Sequence, residues 1–280
     1  MSYEKRKKSK RNSKEKRIKT LVIGDAHASP GHSNERFIAL GNYIVAHEFD
    51  NVVQIGDWGS YDSLSFHDRG NLRVREGSRL IDDLSMSMDA YQVMMAPIRK
   101  LQAYQKSIRK KQFVFKGYWF ESNHEYRTHR FVDENPVLEG LVPENDLVGA
   151  SNDGWEIIPW KSVIYIGGIC FCHIPVNDGN NQPIGGKYVA RRAADLHQST
   201  VVFGHTHRFA VEPLARNGPD GPIFIEGINV GWFGDYTPEY IDGHMGTSHW
   251  WSGLVTLHHI EEGRVDIERI SIDRLKQNYL

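Results

Sequence analysis

Five short strings in this sequence carry side chains of the kind that hold metal ions: Gly24-Asp25-Ala26-His27, Gly56-Asp57, Ser122-Asn123-His124-Glu125, Cys172-His173 and Gly204-His205-Thr206-His207. Taken singly each is weak. A lone Gly-Asp is usually a turn, and one His among the 14 of this chain is more often a core or surface residue than a ligand. Asp-x-His and His-x-His, however, each present two ligand-type side chains two residues apart, both directly after an apolar run that ends in Gly. Gly56-Asp57 adds a second carboxylate in a third setting of the same kind. Residue type and context together point to a site for two metal ions.

Such residues need elements to bring them together. Thr20-Leu-Val-Ile-Gly24 is short, apolar and β-branched, which predicts a buried strand. Asn34 to Phe49 carries Phe37, Leu40, Ile44 and Val45 at helical spacing, and Asn51 to Ile55 reads as the next strand, completing a βαβ unit. Asp82 to Gln112 is helix-prone with a kink or break expected at Pro97, and Phe113 to Gly117 reads as a third strand. Further strands are predicted at Val163 to Cys172, Thr200 to Phe203, Pro222 to Ile228, Leu254 to Ile260 and Val265 to Ile270, with a helix from Lys187 to His197. Residues 58 to 81 and 127 to 160, polar and dotted with Gly, Pro, Asn and Asp, read as long functional loops. The order predicts a layered α/β architecture in which the five strings meet at one sheet edge, because ligands of open α/β sheets bind beyond the carboxyl ends of strands.

Composition narrows the class. The chain has 280 residues, 40% hydrophobic and 25% charged, an ordinary globular profile. Its longest apolar runs, such as Ser162 to Cys172, are shorter than the roughly 18 residues that cross a bilayer, and no apolar leader segment is evident, so neither a membrane partner nor secretion is expected. Two cysteines one residue apart, Cys170 and Cys172, offer no disulfide framework and read as small buried hydrophobes, with a reducing compartment as the default. Residues 1 to 19 hold ten Lys or Arg against Glu4 and Glu15, which leaves 24 basic and 33 acidic residues in 20 to 280, a net of −9. An acidic body does not wrap nucleic acid over its whole surface, but the basic arm reads either as a disordered solubilising tail or as a contact for phosphate backbones.

The series Asp25-x-His27, Gly56-Asp57, Asn123-His124-Glu125, His173 and Gly204-His205-x-His207 resembles the calcineurin-like metallophosphoesterase family in content and order, over about residues 20 to 210. Small members encoded by bacteriophages look closest, through the Asn-His-Glu-Tyr-Arg and Gly-His-Thr-His-Arg strings. The resemblance implies a single domain over 20 to 280, an α/β (α+β) fold of the four-layer αββα sandwich type, with a helical insertion around 60 to 112. It also implies two divalent metal ions, Mn first, with Zn, Fe, Ni or Mg as alternatives. Carried over residue by residue, it makes Asp25, His27 and His207 ligands of one ion and Asn123, His173 and His205 ligands of the other, with Asp57 bridging. Imidazole, carboxylate and amide oxygen without thiolate suit such ions. The implied reaction is hydrolysis of a phosphate ester by a bridging hydroxide, with His124 as the family's catalytic histidine, protonating the leaving oxygen or stabilising charge. Two departures stand out: Ser122 replaces the usual Gly before Asn-His, and 65 residues separate Asp57 from Asn123, more than is common.

Arg127, Arg130 and Arg208 lie next to these motifs and read as phosphate forks or as structural ion pairs. Glu125 reads as an orienter of His124 or a helix-start residue. Gly185-Gly186-Lys187 reads as a turn into a helix rather than a P-loop, and Tyr118-Trp119-Phe120 and Trp250-Trp251 read as core or rim packing before base stacking. The expected substrate is a nucleic acid or nucleotide phosphodiester, the alternatives being a phosphomonoesterase, protein phosphatase included, or a non-catalytic nucleic-acid-binding protein on the same fold. A cytoplasmic setting, bacterial or phage-infected, goes with that resemblance. The amidohydrolase barrel, which also uses His-x-His, fits the motif order badly.

Overall fold

The computed structural model describes residues 18–66, 76–177, 179–218, 221–237 and 250–280. The basic arm, except for Ile18 and Lys19, lies outside the described residues.

Strand β1 (Lys19–Ile23) pairs in parallel with β2 (Asn51–Gln54), β2 with β3 (Lys116–Phe120) and β3 with β4 (Glu156–Ile158). On the other side of β1, β10 (Gly253–Glu261) and β11 (Arg264–Ser271) add antiparallel, giving the order β11-β10-β1-β2-β3-β4. The second sheet has the order β5-β6-β7-β9-β8, built from β5 (Ile164–Ile166), β6 (Ile169–Phe171), β7 (Val201–Phe203), β8 (Phe209–Gly218) and β9 (Gly221–Val230). In it β6, β7 and β9 run parallel, and β5 and β8 close the edges antiparallel. Both sheets are therefore mixed.

Alternation along the strands sorts the side chains into layers. Val22, Val53, Tyr118 and Phe120 of the first sheet share one core with Ile169, Phe171, Val202 and Ile228 of the second, so the sheets pack face to face. Leu21, Ile23, Val52 and Trp119 point the other way, onto α1 (Glu35–His47), α2 (Leu80–Ser107) and the C-terminal α5 (Ile272–Tyr279). The outer face of the second sheet, with Cys170, Cys172, Val201 and Phe203, is covered by α4 (Val189–His197). With α3 (Tyr126–Glu134) there are five α-helices among the described residues, in a helix–sheet–sheet–helix sandwich.

The structure moves several predicted boundaries. The third strand begins at Lys116, three residues later than predicted, because Lys116 is the first residue in register with Asn51, and Tyr118-Trp119-Phe120 lie in that strand. Val163 to Cys172 is a hairpin, not one strand: it turns at Gly167-Gly168, both at positive φ. The predicted loop over 127 to 160 holds α3 and β4. Pro97 does not split the long helix. Ala90, Tyr91, Met94, Met95 and Ile98 are buried with Phe37, Leu40 and Ile44 of α1, and that packing on both sides of Pro97 holds one 28-residue helix despite the lost backbone donor. The helix within the segment around 60 to 112 thus packs on α1 as part of the outer helical layer, while residues 67–75 of that segment lie outside the described residues. No described helix is long and apolar enough to cross a membrane.

Candidate metal centre

Every one of the five strings follows the carboxyl end of a strand: Asp25 and His27 after β1, Asp57 after β2, Asn123 to Glu125 after β3, His173 after β6, and His205 and His207 after β7. Since β1, β2 and β3 are parallel, as are β6 and β7, residues up to 182 positions apart converge at one edge between the two sheets. The chain turns sharply to present them. His27, Asp57, His205 and His207 all have positive φ, at 47°, 53°, 69° and 59°, a left-handed conformation that costs a non-glycine residue of order 1–3 kcal/mol and collects at functional sites.

Two donor groups result. Asp25, His27, Asp57 and His207, all buried, direct ligand atoms into one space, and Asp57, His173 and His205 into another, with Asp57 common to both. In the first, His27 Nε2 is 3.1 Å from His207 Nε2 and 3.6 Å from Asp57 Oδ2, and His207 Nε2 is 3.3 Å from Asp25 Oδ2. In the second, His173 Nε2 is 3.5 Å from Asp57 Oδ2. The Asn123 amide oxygen belongs with it, 3.0 Å from His173 Nε2 and 3.1 Å from His205 Nδ1. His173 Nδ1 donates to the Ile55 carbonyl at 2.9 Å, which fixes its tautomer and leaves the Nε2 lone pair facing Asn123 and Asp57.

The arrangement asks for cations. Both carboxylate oxygens of Asp25 are buried and, apart from the approach of His207 Nε2 and the His205 backbone, lack a hydrogen-bond partner of good geometry, and Asp25 has zero exposure. An ionised carboxylate in that state is strongly unfavourable unless a positive charge sits beside it. Burial, then repulsion from Asp57, pushes the Asp25 carboxyl well above its ordinary value, whereas Asp57, although burial works against it, is held well below by His124, His173, His27 and His205. Burial also lowers the imidazoles, His205 to about 4 and His207 to about 3, so they stay neutral with lone pairs available at neutral pH. Buried imidazole nitrogen, carboxylate and amide oxygen, with no thiolate among them, form a donor set that fits divalent ions of the Mn, Zn, Fe, Ni or Mg kind. Two glycines keep the space open: a Cβ on Gly56, at φ +113°, would meet His173 Nδ1 at 2.4 Å, and one on Gly204 would meet Asp25 Oδ1 at 2.4 Å.

Around this cluster, Glu125 braces the loop after β2. Its carboxylate accepts from the backbone N–H of Trp58 at 2.8 Å and of Asp57 and Gly59 at 3.3 Å each. Ser122, in the position where glycine was expected, hydrogen-bonds through Oγ with both Asp57 and Glu125, joining strand β3 to the shared carboxylate. Burial, reinforced by Asp57, pushes Glu125 up to about 7. His124 stands beside the cluster, its ring edge-on to His27 with centroids 4.6 Å apart. Its Nδ1 lies 2.6 Å from the Ser60 carbonyl oxygen, an acceptor only, so Nδ1 carries hydrogen and Nε2 faces Arg127, 3.4 Å away.

The three arginines divide. Arg127 is tied by Nη1 to Ser60 O, Tyr61 O and Asp62 Oδ1, which leaves its other arm beside His124. Arg130 is exposed and lines, with Arg127 and Phe131, a separate groove over Ser63 to Phe66. Arg208 is exposed in a cleft next to the His205–His207 loop.

The sequence matches no protein-family profile and no curated protein. Among solved structures the chain is similar to the crystal structure of Pseudomonas putida nuclease MPE, at 12% identity and a TM-score of 0.35, over 89% of this chain and 87% of that one. A second solved structure shares 10% identity at a TM-score of 0.37, over 91% of this chain and 100% of the other.

Sequence reasoning missed several neighbours of the site. Ser60 works through its carbonyl, which no side-chain motif reveals. Trp232 stacks on His207 at 5.5 Å and 26°, and the Tyr236 hydroxyl donates to the His27 carbonyl at 2.8 Å. Arg36, fully buried, donates to the carbonyl of Ala26 at 3.1 Å and to Asp235 at 2.8 Å, holding the β1 loop from below. None of the three carries a spacing that separates it from ordinary core residues.

Proposed function

We propose that this chain is a metal-dependent phosphoesterase of the calcineurin-like metallophosphoesterase type, acting on a nucleic acid or nucleotide phosphodiester as a single domain over residues 20 to 280. The observation that carries the reading is the shared Asp57 carboxylate, common to two buried donor groups, with His124 at their margin. In this reading Asp25, His27 and His207 hold one divalent ion, Asn123, His173 and His205 the other, and Asp57 touches both. When bound, such a pair of ions supplies Lewis acidity to a phosphoryl oxygen and makes water a nucleophile at neutral pH.

The chain's own groups do the rest. His173 is locked by its bond to Ile55, so its Nε2 needs no reorientation when a ligand arrives. Glu125 and Ser122 hold the Asp57 loop in place, so the shared carboxylate is fixed before substrate binds. His124, oriented through Nδ1 by Ser60, presents Nε2 as the atom that holds or hands on a proton to the leaving oxygen. Burial, with Arg127 and against the pull of Asp57, lowers its pKa, so that a proton on Nε2 is held weakly. The second arm of Arg127, whose Nη2 lies 3.4 Å from His124 Nε2, supplies fixed positive charge beside that nitrogen, where negative charge grows on the phosphoryl oxygens. Arg130 and Arg208 stand further out as substrate contacts.

The test is a panel assay of the purified, metal-stripped chain reconstituted with Mn, Zn, Ni or Mg, against an aryl bis-ester, an aryl monoester, cyclic nucleotides and oligonucleotides. The reading expects metal-dependent cleavage of the diesters. Cleavage of the monoester alone transfers the reading to phosphomonoesterase, and no metal-dependent cleavage of any substrate removes it.

A further inference from the structure

Immediately beside the metal centre lies a cleft of about 390 Å³ lined by Gly186, Lys187, Val189, Thr206, Arg208 and Trp250. Thr206 is the residue between His205 and His207, so the wall of the cleft is the ligand loop itself. The cleft combines three features that the core of the fold does not require.

The first is charge. Lys187 and Arg208 are exposed and make no ion pair with any described residue, although the body of the chain is acidic. Two cations without an acidic partner, Lys187 with its Nζ 5.3 Å from the centroid of the Tyr188 ring, form a place for one more anionic group beside the proposed phosphate site. The second is an aromatic surface. Trp250 is only half-buried, and its ring meets His207 edge-on with centroids 4.2 Å apart, with Trp232 behind it at 5.0 Å. The third is rigidity. Arg208 and Trp250 are bridged through their backbones, and Trp251 N donates to the His207 carbonyl at 3.1 Å, so ring, guanidinium and metal loop form one frame.

We propose that this cleft is the subsite for the nucleotide next to the scissile phosphate, taking an unpaired base on Trp250 and the neighbouring phosphate on Lys187 and Arg208; the substrate class is single-stranded nucleic acid. The proposal rests on the phosphoesterase reading for the position of the scissile phosphate. The half-buried ring of Trp250 offers a stacking face to a base that is out of its own stack, as bases of single strands are, and stacking tolerates any base because each has a π face.

Binding and cleavage are measured separately on the full chain. Anisotropy of a labelled single-stranded oligonucleotide is titrated in EDTA, where no turnover occurs, and compared with its duplex, at three salt concentrations. The same protein loaded with Mn is assayed on an aryl bis-ester. The variants are Lys187→Ala/Arg208→Ala, Trp250→Leu and Trp250→Phe, each checked for native circular dichroism. Wild type is expected to bind the single strand at least tenfold more tightly than the duplex. The double variant should lose about tenfold in affinity and lower the slope of log K against log salt by about 0.7, the amount for one phosphate on a single strand. Trp250→Leu should lose roughly 10- to 100-fold and Trp250→Phe much less, since Phe keeps a stacking face. Unchanged affinity in the double variant or in Trp250→Leu overturns the subsite, as does equal affinity for duplex. Bis-ester cleavage with unchanged oligonucleotide binding overturns the subsite and keeps the hydrolase. Binding that depends on these residues without cleavage of any ester overturns the phosphoesterase reading and with it the place beside a scissile phosphate, and keeps only the cleft as a contact for single strands.

Discussion

His27 Nε2 and His207 Nε2 face each other across 3.1 Å in a buried space, each at the end of a backbone turn with positive φ. Two imidazoles on one tetrahedral ion at 2.0–2.1 Å would have their nitrogens about 3.3 Å apart. The pair is thus spaced for a common cation, and Asp25 and Asp57 supply the negative charge around it. Replacing His207 by Ala should remove one ion and leave the other donor group intact, a loss read directly by metal analysis of the purified variant. Retention of full metal content in His207→Ala would take His207 out of the centre.

Asp57 is the residue on which both donor groups depend. Asp57→Asn keeps the shape of the side chain and removes its charge, and turnover should fall by orders of magnitude with weaker binding of both ions. A kcat within tenfold of wild type would rule out a shared carboxylate as the hinge of the chemistry.

His124 should behave differently. It is fixed by Ser60 and stands next to Arg127, outside both donor groups, so His124→Ala should retain metal while losing roughly 10²- to 10⁴-fold in rate. Loss of an ion in this variant would make His124 a ligand rather than a proton carrier.

Much of this centre was legible before the fold because each ligand-type residue sits directly after a short apolar run, and strand ends of parallel sheets must converge. What sequence could not convey were contacts made through backbone atoms or across long separations. The Ser60 carbonyl, the Tyr236 hydroxyl and the Trp232 ring reach His124, His27 and His207 from distant loops with no local pattern to mark them. The helix α3 was missed because its first turn is polar and its buried face rests on Thr128 and Val132 alone. Strand β8 was missed because Pro213 and the Asn217-Gly218 pair disguise a hairpin arm that is paired along its whole length with β9. Local propensity yields there to pairing and burial.

Gly204 explains why the string before His205 cannot tolerate a side chain. In Gly204→Ala the new Cβ would fall 2.4 Å from Asp25 Oδ1, so either the carboxylate or the loop must shift. Metal affinity should drop about 10- to 100-fold with the fold retained, measured by calorimetric titration. Wild-type affinity would show that Asp25 does not need its present position.

The β1 loop is held from beneath by buried charge. Asp235→Ala strips the fully buried Arg36 of its carboxylate partner, 2.8 Å away, and should destabilise the protein by about 3 kcal/mol, at the low end for a broken buried pair because Asp235 is partly exposed. Denaturant unfolding measures this, and a change below about 0.5 kcal/mol would contradict it.

The cysteines should be inert in the folded protein. Burial pushes the Cys170 thiol up to about 11 and Cys172 well above its ordinary value, and only the thiolate reacts, so at pH 8 both stay protonated. A disulfide reagent should find no fast-reacting thiol until the chain is unfolded, and then two. Rapid native labelling would place at least one of them at the surface.

In the proposed centre Asp57 stands between two metal ions. This placement is tested most directly by crystals of the chain grown with Mn and measured at the Mn absorption edge. Two anomalous peaks about 3.5 to 4 Å apart are expected on either side of the Asp57 carboxylate, one among Asp25, His27 and His207 and one among Asn123, His173 and His205. No peak at these residues, or ions bound only elsewhere on the chain, would contradict it.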